Sequence, residues 1–94
     1  MKKKLEIATA IKYNSNIDTA PIVLAKGQGA IAQKILEVAD ESNIKIYKDE
    51  KLAKQLMSLS IGQEIPPHLY QVVAEILAFV INLDESGNKD YVEK

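Results

Sequence analysis

Ile22-Val23-Leu24-Ala25-Lys26-Gly27-Gln28-Gly29, then Ala30 to Ser42, then Ile44-Lys45-Ile46-Tyr47, is the stretch whose reading decides the fold. Ile22 to Ala25 is a short continuous apolar run, the pattern of a strand covered on both faces. The glycines of Lys26-Gly27-Gln28-Gly29 end it, and the period then changes. Ile31, Ala32, Ile35, Leu36, Val38 and Ala39 form a helical apolar stripe, with Gln33, Lys34, Glu37, Asp40 and Glu41 on the wet face. Asn43 suits a left-handed helix cap. Ile44 to Tyr47 alternates again as a strand. The unit is β–α–β, so its two strands should run parallel.

Outward from that unit, Leu5 to Tyr13 alternates with period two. Leu5, Ile7, Thr9, Ile11 and Tyr13 share one face; Ala8 and Ala10 leave the other shallow enough for a close helix. Asn14 to Asp18 reads as a turn, and Pro21 suits the first position of a strand. Downstream, Asp49 is a good N-cap for a helix over roughly Glu50 to Leu59. Ser60 to Pro67 is a loop. His68 to Leu83 is the strongest helical pattern, with an apolar arc (Leu69, Val72, Val73, Ile76, Leu77, Phe79, Val80, Leu83) broad enough to be buried on more than one side. The expected architecture is α/β: a small mixed sheet of about three strands with three helices around it, one domain over residues 1–83, and a polar tail over residues 84–94 that frays.

The 94 residues allow one domain, and 47% hydrophobic content supports a folded core. With no Cys, disulfides, thiol nucleophiles and thiolate metal sites are excluded. A net charge of −1 gives no global attraction for nucleic acid. Lys2, Lys3 and Lys4 are not followed by a long apolar core, so they read as a solvated tail rather than a signal peptide. Val72 to Leu83 is too short and too polar to span a bilayer, which needs about 20 apolar residues. A soluble, cytoplasmic protein is expected.

Little in the chain reads as chemistry. Lys26-Gly27-Gln28-Gly29-Ala30 sits where a phosphate loop would lie, but it lacks the nucleotide-binding glycine fingerprint and reads as a tight turn. The lone His68 has no recognisable nucleophile, and it follows two prolines at a helix start. Glu37, Asp40, Glu41, Asp49, Glu50, Asp84 and Glu85 read as helix-end or solubilising charges. No metal, cofactor or catalytic residue is assigned. The breadth of the last helix's apolar arc, with the small pair Ala20-Pro21, leaves room for a partner groove.

Read as strings, several segments resemble the cytoplasmic C-terminal domain of the FlhB/YscU family, the substrate-specificity switch proteins of type III secretion. Ala10-Ile11-Lys12-Tyr13 resembles its Ala-Leu-Lys-Tyr. Ala20-Pro21-Ile22-Val23-Leu24-Ala25-Lys26-Gly27 resembles its Ala-Pro-x-Val-x-Ala-Lys-Gly. Ile61 to Pro66 and Leu69 to Ala78 resemble its Ile-Gly-x-x-Ile-Pro and Leu-Tyr-x-x-Val-Ala-Glu-x-Leu-Ala. The likeness is nearest the flagellar branch.

The resemblance implies a four-stranded mixed sheet, and a soluble, non-enzymatic component or regulator of flagellar export that acts like the family's post-cleavage fragment. It implies partners in the membrane half of an FlhB-like protein and in export substrates, with recruitment to the export gate. The family's Asn-Pro-Thr-His cleavage motif falls on Lys3, Lys4, Leu5 and Glu6. None of these has the carboxamide or imidazole that self-cleavage uses, so none is expected. The family's apolar cleft falls on Ala20, Pro21, Ala74 and Leu77. One sheet edge is expected to lie open, because the family's strand upstream of the cleavage site has no counterpart before Leu5. The alternative reading is a divergent protein-binding module of the same fold with no role in secretion.

Overall fold

A computed structural model describes residues 5–14, 16–80 and 89–94. The elements run β1 (Ile7–Tyr13), β2 (Ile22–Gln28), α1 (Ala30–Glu41), β3 (Lys45–Tyr47), α2 (Glu50–Met57), α3 (Pro67–Phe79) and β4 (Lys89–Glu93). The fold is mixed α/β, with three helices on a four-stranded sheet of order β2-β1-β4-β3. β1 is antiparallel to both β2 and β4, and β4 is parallel to β3. It follows that β2 and β3 run in the same direction, as the β–α–β pattern requires, but with β1 and β4 between them.

The alternation in β1 divides the molecule. Ala8 joins Ala32, Ala39 and Val92 in a small-residue layer under α1. Ile11, on the opposite face, joins Val23, Leu52, Leu56, Leu69, Val73, Leu77 and Tyr91 in the larger core under α2 and α3. The sheet is thus sandwiched between α1 and the α2–α3 pair.

Local signals hold where the chain obeys its own chemistry. Asp49 caps α2 by accepting from Leu52 N at 3.2 Å. Asn43 takes the left-handed conformation, φ 58°, at the end of α1. Gly29 has φ 61°, and a Cβ on Gly27 would overlap the Ile31 side chain. These glycines are therefore needed for a tight turn and for close packing of α1 on β2.

Two expectations are corrected. Residues 89–94 do not belong to a frayed tail: 89–93 form β4, flanked by β1 on one side and β3 on the other. Its Tyr91 is buried and meets Tyr47 edge to face, ring centroids 5.7 Å apart. Residues 84–88 lie outside the described residues. The sheet's outer strands are β2 and β3, and β1 is interior, between β2 and β4. Finally, the last helix ends at Phe79, and Val80 is extended (ψ 112°); residues 81–83 lie outside the described residues. Only its Leu69–Val73–Leu77 stripe is buried, while Phe79 is 74% exposed and Val72 37%. The arc is broad, but the sheet is narrow enough to cover one side of it.

Because Tyr91 is anchored in the larger core, Tyr91→Ala should destabilise the fold by about 3–5 kcal/mol, the usual cost of deleting a buried aromatic ring. Urea denaturation followed by circular dichroism reads this directly. A change under about 0.5 kcal/mol, typical of an exposed position, would return residues 89–94 to a tail.

Candidate functional site

The turn Ala20–Pro21 is tied to the loop that feeds α3. Ile65 N donates to Pro21 O at 2.8 Å, Val23 N to Gln63 O at 2.9 Å, and Gly62 N to Val23 O at 2.7 Å. Thr19 Oγ1 adds a bond to Glu64 Oε2 at 2.8 Å. Gly62 makes this possible with φ 88°. Pro66 and Pro67 then start α3, with Pro67 at a position where its missing N–H costs nothing. These bonds tie the Ala20–Pro21 turn and the start of β2 to the loop that precedes α3.

Pro21 is buried, Ala20 and Ala74 are half-buried, and Leu77 is only 4% exposed. Leu77 packs in the same core as Ile65, whose backbone holds Pro21. Ala20 and Pro21 thus sit on the turn bound to the loop before α3, and Ala74 and Leu77 sit on α3 itself. What the arrangement offers chemically is apolar contact beside an irregular, hydrogen-bonded loop, a binding geometry rather than a catalytic one.

At the opposite end of β1, Leu5 and Glu6 are exposed, and Glu6 O accepts from Gly29 N at 2.8 Å. Lys3 and Lys4 lie outside the described residues. Leu5, Glu6 and Ile7 border an open cleft of about 620 Å³, closed on its other sides by Lys48, Glu50, Lys54 and Lys94. Lys54 pairs with Glu50 across one helical turn at 3.2 Å.

The sequence reading missed the buried polar groups of β4. Glu93, opposite Thr9 in the β1–β4 ladder, is 0% exposed. Both of its carboxylate oxygens, and the Tyr91 hydroxyl on the same face, are enclosed without a hydrogen bond of good geometry, although Tyr91 and the Asp49 backbone lie near enough to act on Glu93. The nearby hydroxyl of Thr9 is turned to Met57 Sδ, 3.6 Å away. The Asp49 carboxylate is engaged in capping α2, and Asp49 N donates to Lys94 O at 2.8 Å. Burial, reinforced by the negative charge of Asp49, lifts the Glu93 carboxyl from its ordinary 4.5 to about 7; Tyr91 and the Asp49 backbone pull it partly back. Burial and Glu93 push the Tyr91 phenol upward as well. The only hint in the sequence was a Tyr91-Val92 pair among charges.

The remaining candidates fall on the surface. His68 is exposed in the first turn of α3, and Glu37, Asp40 and Glu41 are exposed on α1. Among the described residues no three His, Cys, Asp or Glu side chains converge as metal ligands, and no helix is long and apolar enough to cross a membrane.

Comparison with known proteins matches residues 5–80 to the FlhB HrpN YscU SpaS family. The chain is 47% identical over 76 residues to the flagellar biosynthetic protein FlhB of Aquifex aeolicus (strain VF5), covering 80% of this chain and 22% of that protein. It is 38% identical over 88 residues to the uncharacterized protein YlqH of Bacillus subtilis (strain 168), covering 92% of this chain and 95% of that one. The chain thus spans about a fifth of the Aquifex FlhB and nearly all of YlqH. A crystal structure of a mutated EscU C-terminal domain superposes with a TM-score of 0.81 at 28% identity, over 86% of this chain and 99% of that one.

The buried Glu93 predicts a specific pH dependence. Its carboxyl is raised in the folded state, so the fold binds the proton more tightly than the unfolded chain does. Its contribution to stability is full below about pH 4.5, is lost as pH rises toward about 7, and is flat above that. Relative to the wild type, Glu93→Gln should gain on the order of 2 kcal/mol between pH 4 and pH 8. Urea midpoints of both proteins across that range test it; parallel curves would show that Glu93 is solvated in the fold.

Proposed function

The chain belongs to the FlhB HrpN YscU SpaS family, and from that premise we propose that it works as a non-enzymatic component or regulator of flagellar type III protein export. On this reading it acts as the family's post-cleavage C-terminal fragment does, in substrate recognition or specificity switching at the cytoplasmic face of the export gate. Its partners are the membrane half of an FlhB-like protein and the export substrates.

The observation that carries the reading is the backbone ladder from Pro21 and Val23 to Gln63 and Ile65. It ties two of the family-like segments together, and on this reading Ala20, Pro21, Ala74 and Leu77 form one apolar face. Such a face suits an extended or helical apolar segment of a substrate. The flagellar assignment is supported by identities of 42–47% to several FlhB proteins.

Self-cleavage is not part of this proposal. Cyclisation of an asparagine side chain onto its own carbonyl needs a carboxamide, and Lys3-Lys4-Leu5-Glu6 contains none. The chain serves as a binding surface from the start, with no maturation step.

The test is complementation in a motile bacterium whose FlhB lacks its cytoplasmic C-terminal domain. Supplying this chain should restore secretion of hook and filament protein into the medium, and the recovered chain should have its uncut mass. Ala20→Glu, which places a charge on that face while leaving the core intact, should reduce that secretion at least ten-fold at equal protein level. Absence of export from the folded, expressed wild-type chain would contradict the proposal.

A further inference from the structure

The Ala20–Pro21 turn is held on its two sides by different kinds of bond. Downstream the anchors are main chain: Pro21 O accepts from Ile65 N, Val23 N donates to Gln63 O, and Val23 O accepts from Gly62 N. Upstream, Ile17 N and Asp18 N donate to Asn14 O, and Asp18 Oδ2 accepts from Asn14 N, within the turn that follows β1. Just before Ala20, the link to the loop that precedes α3 is a pair of side chains. Thr19 Oγ1 donates to Glu64 Oε2 at 2.8 Å, across 45 positions of sequence.

The core needs neither partner. Thr19 and Glu64 are both exposed, whereas Pro21 and Ile65 beside them are buried. Both also stand outside the strings that carry the resemblance: Thr19 precedes Ala20-Pro21, and Glu64 falls on an open position of Ile-Gly-x-x-Ile-Pro. An exposed hydrogen bond adds little to global stability, because water competes for both partners. Its effect is local. The backbone around Glu64 is fixed from both sides, since Gln63 O accepts from Val23 N, Ile65 N donates to Pro21 O, and Glu64 itself bridges Ile22. Gln63 Oε1 accepts from Ser60 N at 2.8 Å, which holds the bend of the same loop. A carboxylate on so fixed a backbone can hold a threonine hydroxyl in one place, and that threonine is the residue next to Ala20.

We propose that Thr19 and Glu64 are positioning residues of the candidate binding face: their bond clamps the chain just upstream of Pro21, so that Ala20 is held between two anchors and the Ala20–Pro21 turn keeps one placement against the loop before α3. The clamp touches no substrate; it acts through Ala20 and Pro21. The inference rests on the reading of that face as the place where export substrates dock. With the hydroxyl or the carboxylate removed, the turn keeps its main-chain bonds from Pro21 onward but gains freedom at Ala20. A partner that docks there must then restrict that freedom, which costs affinity.

The test compares Thr19→Val, which keeps the shape and removes the hydroxyl, with Thr19→Ser, which keeps the hydroxyl. It likewise compares Glu64→Ala with Glu64→Gln, which keeps an acceptor. Each full-length variant is read by amide exchange at Ile65 and by secretion of hook and filament protein in the complementation strain. Thr19→Val and Glu64→Ala should each speed exchange at Ile65 and lower secretion by about five-fold, the weight of one hydrogen bond. Thr19→Ser and Glu64→Gln should stay near wild type in both. The urea midpoint and the exchange of Ile11 should not change in any of them, which separates lost placement from lost fold. Unchanged exchange at Ile65 in Thr19→Val and Glu64→Ala would overturn the proposal. So would faster exchange with full secretion, or an equal loss of secretion in Thr19→Ser. Should the wild-type chain itself restore no export, the reading of the face fails, and the clamp is then decided by the exchange rates alone.

Discussion

The insertion of β4 between β1 and β3 is the constraint on which the rest of the structure depends. β1 pairs with β4 over five residues and with β2 over six. Its two faces can separate an alanine-lined layer from the larger core only while both neighbours are present. β3 is three residues long and has β4 as its partner, so its position and the start of α2 just beyond it depend on that strand. Lys94 N donating to Tyr47 O at 2.9 Å, and Asp49 N donating to Lys94 O at 2.8 Å, extend the same attachment into the helix cap. A β-sheet whose interior strand arrives last closes by a contact of long sequence separation, which makes β4 docking a late and costly step in chain entropy.

The segments that resemble the family are for the most part joints of the scaffold. Pro21 presents a carbonyl to the loop before α3. Lys26 donates from Nζ to Met57 O at 2.9 Å, so a strand lysine satisfies a carbonyl at the end of α2. Gly27 makes room for Ile31, Gly62 turns the loop, and Pro66 with Pro67 fixes where α3 begins. These residues have defined mechanical tasks, which explains why a short string can carry so much of the fold.

How much of this was legible from the sequence depends on whether the local pattern and the tertiary environment agree. In β1 they agree, and strict alternation gave both the strand and its two faces. At Asp49 and Asn43 they agree because capping and left-handed backbone are properties of a few neighbouring atoms. In Lys89-Asp90-Tyr91-Val92-Glu93 they conflict. Three charges in five residues argue for solvent, while the ladder and the aromatic contact hold the segment inside. An acid that must be buried is invisible to any reading that places charge outside. In α3 the conflict is reversed: Val72 and Phe79 look like core by composition and are exposed, because one sheet face covers one helical stripe. Ala20 drew notice as half of the small Ala20-Pro21 pair, whereas Ala74 was nameable only through resemblance, since nothing in its chemistry sets it apart from other alanines.

Backbone hydrogen exchange at residues 91–94 tests the central claim most directly. If β4 is the interior strand that completes the sheet, these amides should exchange with a free energy equal to that of Ile11 in β1, the level of global unfolding. Exchange near the unprotected rate at residues 91–94, with β1 still protected, would contradict the account, because the sheet would then stand without its fourth strand.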